Sequence, residues 1–231
     1  MKNEFTVFIG YDSAQPEAAI ACWKSIVDHD KDKQVSVQLI DRSVLVESNL
    51  YWRDRMETES TEFSFTRFLT PYLKGFYGYA LFCDSDFIWK CSPVEVLELA
   101  KQDESKSVWV VKHDLKQEQM KTTKMGGKIQ TAYPRKNWSS MMVFNCNHEE
   151  VRKLTPDIVS EQAPSFLHGI QWAKDENIGE LPVTYNFLVG YYQDNDMPKV
   201  LHFTDGTPLH EGYEDCEFAE EFLKYVQPKT K

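Results

Sequence analysis

The stretch FCDSDF holds the side chains of this 231-residue sequence with the plainest capacity for chemistry. Asp84 and Asp86 stand one residue apart at the end of the apolar run Ala80–Cys83. Two carboxylates that close repel each other unless a proton or a cation lies between them. The bland alternative is a strand-end turn whose carboxylates are solvated. A shared hard cation turns the repulsion into a reason for binding, and carboxylates suit Mg2+ or Mn2+, which bridge to phosphate oxygens. Late in the chain, VLHFTDG sets His202 at the end of another apolar run. It is either a core or cap histidine or a third ligand, and its softer imidazole would favour Mn2+ over Mg2+. Asp205 and Gly206 then form a turn whose backbone amides can face a phosphate. Arg67 lies in the apolar pattern FSFTRFL. A buried guanidinium needs an anion, which is either a carboxylate of DSD or a phosphate. Gly10, Tyr11 and Asp12 end the first apolar run. There the glycine would allow close ligand approach, the tyrosine could stack on a base or sugar, and the aspartate could accept hydrogen bonds from one.

Elements must carry these groups. TVFIG (6–10) reads as a strand, PEAAIACWKSIVDH as a helix opened by Pro16, and VSVQLID (35–41) as a second strand. Strand, helix, strand is a βαβ unit, so a parallel sheet is the frame. Segment 47–61 reads as a mobile or partly helical loop. Thr61–Leu73 reads as a helix burying Phe65, Phe68, Leu69 and Leu73, against which Pro71 counts. Ala80–Cys83 fits a central buried strand. DSD then lies beyond the carboxyl end of a strand, where open parallel sheets bind ligands. Ser92 is an N-cap, Pro93 the first helical residue and Glu95 the return half of a capping box, with the helix ending near Ala100. SVWVVKH (107–113), SSMMVFNC (139–146) and VLHFTDG (200–206) are strand-like. Residues 114–133, with Gly126 and Gly127, read as a loop or hairpin. HEEVRKLTPDIVSEQ and SFLHGIQWAK are broken helices, and EFLKYVQPKTK is a short helix with a basic end. With no internal repeat and no linker, one mixed α/β domain follows.

Bulk properties narrow the classes. The 26 basic and 36 acidic residues leave a net charge of −10, which argues against a general nucleic-acid grip. The five cysteines, at 22, 83, 91, 146 and 216, are odd in number and form no CxxC pair. They point to a reducing compartment, hence the cytoplasm. MKNEFTVFIGYD lacks the features of a signal peptide, and no run is long and apolar enough to span a membrane; peripheral membrane association stays open. The absence of GxxxxGK[ST], GxGxxG and GxSxG removes the ATPase, dinucleotide and nucleophile-elbow readings. His113, His148 and His210 read as surface or capping residues. Trp138 and Trp172 are candidate sugar platforms or core residues.

FIGYD, FSFTRFLTPYL, FCDSDF and LHFTDGTP, in this order and at this spacing, resemble the A-type nucleotide-sugar glycosyltransferases, most nearly glycosyltransferase family 8 and its small bacterial and viral relatives. The likeness runs from Phe5 to about Glu211. It implies a single Rossmann-like domain with a mixed, mostly parallel sheet flanked by helices. The nucleotide-binding half would be about 1–113 and the acceptor-side half about 114–231. It implies Asp84, Asp86 and His202 as ligands of Mn2+, or Mg2+, on the diphosphate of a UDP-sugar, with Asp84 also near the ribose. Ser85 and Gly206 would border the donor, and Gly10, Tyr11 and Asp12 would line the nucleoside pocket. Arg67 would sit near the donor sugar and diphosphate. Asn137, Trp138, Ser139 and Ser140 would lie beside the donor sugar. Tyr185 and Asn186 in PVTYN would be structural or line the acceptor side. The family's Asp-Gln step appears as Ile170-Gln171, so Gln171, with His168 nearby, would carry the catalytic role. The lysine and tryptophan of the family's HxxGxxKPW are absent from HFTDGTPLH, which leaves Lys90, Lys112 or Arg135 to brace the diphosphate. The implied activity is metal-dependent hexosyl transfer to a glycan or other hydroxyl acceptor with retention of configuration. The competing readings are a sugar-1-phosphate nucleotidyltransferase, which lacks its Gly-rich loop here, an Asp-x-Asp phosphatase, which wants the motif on the first strand, and a nucleotide-sugar-binding protein without turnover.

Overall fold

Residues of alternating side in FTVFIG are all apolar or small, and the strand they form is buried on both faces. In the computed structural model, which describes residues 5–57, 59–114, 135–193 and 197–226, this is β1 (Phe5–Gly10). Phe5, Val7 and Ile9 pack on one side against Ala19, Cys22 and Ile26 of α1 (Pro16–His29). Phe8 packs on the other against Phe63, Phe65 and Phe68. β2 (Val35–Ile40) and β3 (Tyr79–Cys83) flank β1, both parallel to it, so the βαβ unit is present. β3 divides its side chains likewise, with Leu81 and Cys83 facing α1 and Ala80 and Phe82 facing the aromatic side.

After β3 come β4 (Phe87–Trp89), α4 (Pro93–Ala100) and β5 (Val108–Val110). β6 (Met141–Asn145), β7 (Ile178–Glu180), β8 (Phe187–Leu188) and β9 (Val200–His202) follow. The large sheet runs β2-β1-β3-β6-β5-β7, with β6 antiparallel to both its neighbours and the other contacts parallel. A smaller sheet, β4-β9-β8, stands beside it. The architecture is therefore a mixed, mostly parallel sheet flanked by helices. The chain leaves the large sheet at Cys83 and enters the small one at Phe87, so Asp84-Ser85-Asp86 is the link between the two sheets.

Helix ends follow local chemistry. The Ser92 hydroxyl accepts the Val94 amide and Pro93 opens α4. Glu95 does not close a capping box; its carboxylate takes the Lys199 ammonium at 2.7 Å instead. Asp41 ends no strand but caps a helix that the sequence pattern missed, α2 (Arg42–Glu47), by accepting the Ser43 amide. The helix expected over 61–73 is only a 3-10 turn at Thr66–Leu69 followed by α3 (Thr70–Leu73), which Pro71 helps to start. The preceding residues instead fold Phe63 under Gly10. The expected broken helices are α5 (Pro156–Glu161) and α6 (Pro164–His168), and the C-terminal helix is α7 (Ala219–Val226). The loop or hairpin expected over 114–133 falls, but for residue 114, outside the described residues.

Gly10 is set by packing. A Cβ there would lie 2.4 Å from Phe63 Cγ, so the ring occupies the space a side chain would need. Gly10→Ala should therefore cost about 1–3 kcal/mol, as overpacking of a filled core does. Urea unfolding of the variant measures this through its midpoint.

Candidate active site

Strand register brings the acidic link and the late histidine together. Phe87 pairs with His202 across β4 and β9, and the Phe203 amide bonds the Asp86 carbonyl at 3.0 Å. Asp84, Asp86 and His202 each offer one ligand atom, and these atoms lie within 4.8 Å of one another. His202 is 2% exposed and stacks on Phe87 with ring centroids 4.3 Å apart. Its Nε2 lies 3.5 Å from Asp86 Oδ1, and its Nδ1 lies 2.9 Å from Asn186 Oδ1. Two carboxylate oxygens and one imidazole nitrogen are a donor set that fits a divalent cation such as Mn2+ or Mg2+.

Arg67 borders this group. Its Nη1 is 2.7 Å from Asp84 Oδ1 and donates to the Ser139 carbonyl at 2.9 Å. Its Nε reaches the Ser64 carbonyl at 3.1 Å, and the guanidinium lies over the Phe63 and Phe82 rings. The sequence offered a carboxylate or a phosphate as its partner; in the folded chain it is the Asp84 carboxylate. Ser139 and Ser140 extend the same rim. The Ser140 carbonyl accepts the Asp84 amide at 2.9 Å, and the Ser139 hydroxyl meets His168 Nδ1 at 2.9 Å. Asn137 opens that turn in the left-handed region, with φ of 64°. Ser85 is buried between the two aspartates.

His168 lies between the rings of Phe65 and Phe68. Burial, with the charges of Arg67 and Arg53 adding to it, pushes its pKa from 6.5 down to about 3. It is a neutral imidazole. Gln171 is placed differently. It is exposed on the turn after α6, while Ile170 is buried in the core with φ of 53°.

The first-strand residues serve local structure. Both Asp12 carboxylate oxygens take backbone amides, Oδ1 from Ala14 at 3.0 Å and Oδ2 from Glu62 at 3.3 Å. Tyr11 is half-buried against the α1-side core. Gly206 lies under the Tyr213 ring, and Asp205 accepts the Tyr191 hydroxyl at 3.1 Å. Of the basic residues offered in place of the missing lysine, Lys90 pairs with Glu221 at 3.8 Å and Arg135 with Asp175 at 2.6 Å. Lys112 lies over the Trp138 ring.

One expectation needs correction. His113 is no surface residue. It is 7% exposed, bonds the Tyr192 hydroxyl through Nδ1 at 2.8 Å, and burial pushes its pKa down to about 3. Of the two readings open for Trp172, core or sugar platform, the fold has the first: it is 2% exposed and stacked on Phe144. Trp138 remains half-buried, its Nε1 donating to the His113 carbonyl at 3.1 Å. The contact of Asn186 with His202 was the hardest to see. The only signal was its place in PVTYN, which does not reveal that it backs His202.

No family model matches the chain. Protein CDI of Arabidopsis thaliana is 40% identical over 237 aligned positions, covering 100% of this chain and 89% of that protein. Solved structures that share the fold at low identity include three glycosyltransferases. The WbbM bifunctional glycosyltransferase in its apo form superposes with a TM-score of 0.65 at 14% identity, over 98% of this chain and 50% of that one. The glycosyltransferase GlyE of Streptococcus pneumoniae TIGR4 gives 0.63 at 14%, over 96% of this chain and 60% of GlyE. The galactosyltransferase LgtC, solved in complex with donor and acceptor sugar analogs, gives 0.53 at 12%, over 97% and 98%. The chain spans about half the length of WbbM and 60% of that of GlyE. Its fold is that of the A-type glycosyltransferases. Among the described residues no helix is long and apolar enough to cross a membrane.

Proposed function

The chain belongs to the same family as Protein CDI of Arabidopsis thaliana, and we propose that it is a metal-dependent glycosyltransferase that moves a hexose from a UDP-sugar to a glycan or other hydroxyl acceptor. The observation that carries this reading is the gathering of Asp84, Asp86 and His202 within 4.8 Å at the link between the two sheets of an A-type glycosyltransferase fold. Those residues would hold Mn2+, or Mg2+, and the cation would supply Lewis-acid stabilisation to the departing diphosphate. Asp84 and Ser85 would also border the ribose side of the donor. Arg67, fixed by three backbone carbonyls, presents a positive charge beside the place where negative charge develops, which is where such a charge contributes most.

Asn137 and Ser139 line the rim next to Arg67 and fit contact with the donor sugar. His168, neutral at physiological pH, cannot give a proton as imidazolium. Its part is to hold the Ser139 hydroxyl in place. Gln171, exposed after α6, would meet the donor only from the solvent side. Gly10, Tyr11 and Asp12 shape the nucleoside end through the backbone, since Asp12 spends both oxygens on amides. Gly206 would bring its turn toward the phosphates. Transfer with retention follows the family resemblance; the leaving phosphate can accept the acceptor's proton, so no strong side-chain base is required. The nucleotide half, about 1–113, supplies Arg67 and the two aspartates, and the acceptor half, about 114–231, supplies His202. A cytoplasmic setting fits the five free thiols.

A second reading, a nucleotide-sugar-binding protein without turnover, has one observation in its favour. The family's acidic residue before Gln171 is replaced by Ile170, which is 0% exposed and packed in the core. Calorimetric titration with UDP tests the main reading. With Mn2+ present, UDP should bind in the micromolar range, about −8 kcal/mol, and binding should collapse with EDTA or in Asp86→Ala. Absence of UDP binding under every metal condition would sink the transferase reading. Tight binding without release of sugar to any hydroxyl acceptor would favour the second.

A further inference from the structure

The hydrogen-bond chain behind His202 has a fixed direction. It begins at the Asn137 carbonyl oxygen, which can only accept. The Ser140 hydroxyl lies 2.6 Å from that oxygen and must give it its one proton. The same hydroxyl oxygen is 2.9 Å from the Asn186 amide nitrogen, and with its proton committed it can only accept there. The Asn186 NH2 therefore faces Ser140, and Asn186 Oδ1 faces His202 Nδ1 at 2.9 Å. An amide oxygen cannot donate, so Nδ1 must carry the hydrogen. In neutral His202 the lone pair is then on Nε2, the atom 3.5 Å from Asp86 Oδ1. A lone pair facing a carboxylate is repulsive until a cation or a proton comes between them. Ser140, Asn186 and His202 are exposed by 4%, 0% and 2%, so the order is built into the interior.

We propose that Ser140 and Asn186 are positioning residues that convert the acceptor-only carbonyl of Asn137 into a fixed tautomer of His202, holding Nε2 ready for a divalent cation. This rests on the reading of Asp84, Asp86 and His202 as a cation site, and adds that the residues behind the ligand set its affinity. The turn at 137–140 acts at both ends of the site. Its Ser140 carbonyl holds the Asp84 amide, and its Ser140 hydroxyl, through Asn186, holds His202. Such partners behind a metal-bound histidine fix ring orientation and raise ligand basicity.

Two measurements on the full chain test this. The first needs no metal: the 15N spectrum of histidine-labelled protein, at a pH where His202 is neutral, reads its tautomer. The wild type should show Nδ1–H, and Ser140→Ala and Asn186→Leu should shift it toward Nε2–H. The second counts free Mn2+ by electron paramagnetic resonance during titration. Ser140→Ala and Asn186→Leu should bind Mn2+ more weakly by roughly ten- to hundredfold, whereas Asn186→Asp, which keeps an acceptor for Nδ1–H, should stay within roughly threefold of wild type. The nitrogen coupling to bound Mn2+ should be present in wild type and in Asn186→Asp and lost in Asn186→Leu. Ser140→Ala removes a single hydroxyl and covers the case in which Asn186→Leu does not fold. An Nε2–H tautomer in the wild type overturns the proposal. So does Mn2+ affinity that is the same in Asn186→Asp and Asn186→Leu. If the tautomer is Nδ1–H but the wild type takes up no Mn2+, the relay stands and the cation reading falls.

Discussion

Between about pH 8 and about pH 5 the protein should lose about 4 kcal/mol of stability, from two histidines alone. His113 and His168 each have a pKa pushed down from 6.5 to about 3, for His113 by burial and for His168 by burial first and the neighbouring Arg67 and Arg53 charges second. The unfolded chain takes up a proton at each near its ordinary value, and the folded chain does so only near 3. In the interval the unfolded state holds more protons, so stability is complete well above 6.5 and falls as pH falls through 6.5 toward 3. The rate is about 1.4 kcal/mol per pH unit for each group, hence about 2 kcal/mol for each by about pH 5. Against a typical stability of about 5–15 kcal/mol, this should bring acid unfolding above the range in which carboxylates titrate. Urea unfolding at a series of pH values gives the slope directly. In His168→Phe, which keeps a ring between Phe65 and Phe68, and in His113→Phe, which keeps the stack on Tyr192, that slope should fall by about half. An unchanged slope in both variants would mean that neither histidine is the source.

His113 also shows what the sequence conceals. At the end of SVWVVKH it reads as a surface or capping residue, and only the fold puts Tyr192 over it, 79 positions away. The frame itself was legible. The βαβ start, the buried strand before DSD and the cap at Ser92 depend on local pattern, and all are present. The residues alone left His202 open between a core histidine and a third ligand, and only the family resemblance paired it with DSD; in the fold the two meet from different sheets, after β3 and at the end of β9. Contacts that depend on register between distant segments were not legible. Gly10 invites a ligand on paper, yet Phe63 fills its space; Asp12 looks available, yet the Ala14 and Glu62 amides use it. Asn186 reaches Ser140 across 46 positions, and no spacing rule announces that. The helix expected over 61–73 failed for a related reason. Its apolar stripe is real, but the demand to seat Phe63 under Gly10 outweighs helical continuity at a site where Pro71 already weakens it.

Removing the Arg67 guanidinium should cost about 3 kcal/mol in metal-free protein at neutral pH, and less when Mn2+ is present. The side chain is 7% exposed and its partner Asp84 16%, so Arg67→Met leaves a largely buried carboxylate without its 2.7 Å counter-charge. It also strips a donor from the Ser139 and Ser64 carbonyls, and an acceptor left unmet in the interior costs about 1–3 kcal/mol. Methionine refills the space over Phe63 and Phe82, so lost packing is a minor part. Breaking one side of a buried pair costs about 3–5 kcal/mol, and the partial exposure of Asp84 puts this case at the low end. Arg67→Lys should not restore it, because a single ammonium cannot serve Asp84 and Ser139, which share Nη1, and at the same time the Ser64 carbonyl that Nε holds. A cation held by Asp84, Asp86 and His202 would supply the missing positive charge, and binding to the folded state alone stabilises it by mass action. The difference in unfolding free energy between wild type and Arg67→Met should therefore narrow as Mn2+ is raised. A double-mutant cycle with Asp84→Asn separates the pair from the carbonyl contacts. If Arg67→Met costs the same with and without Mn2+, the cation and the guanidinium do not share Asp84. If the cycle shows no coupling, the charge pair is not what holds Arg67 in the core.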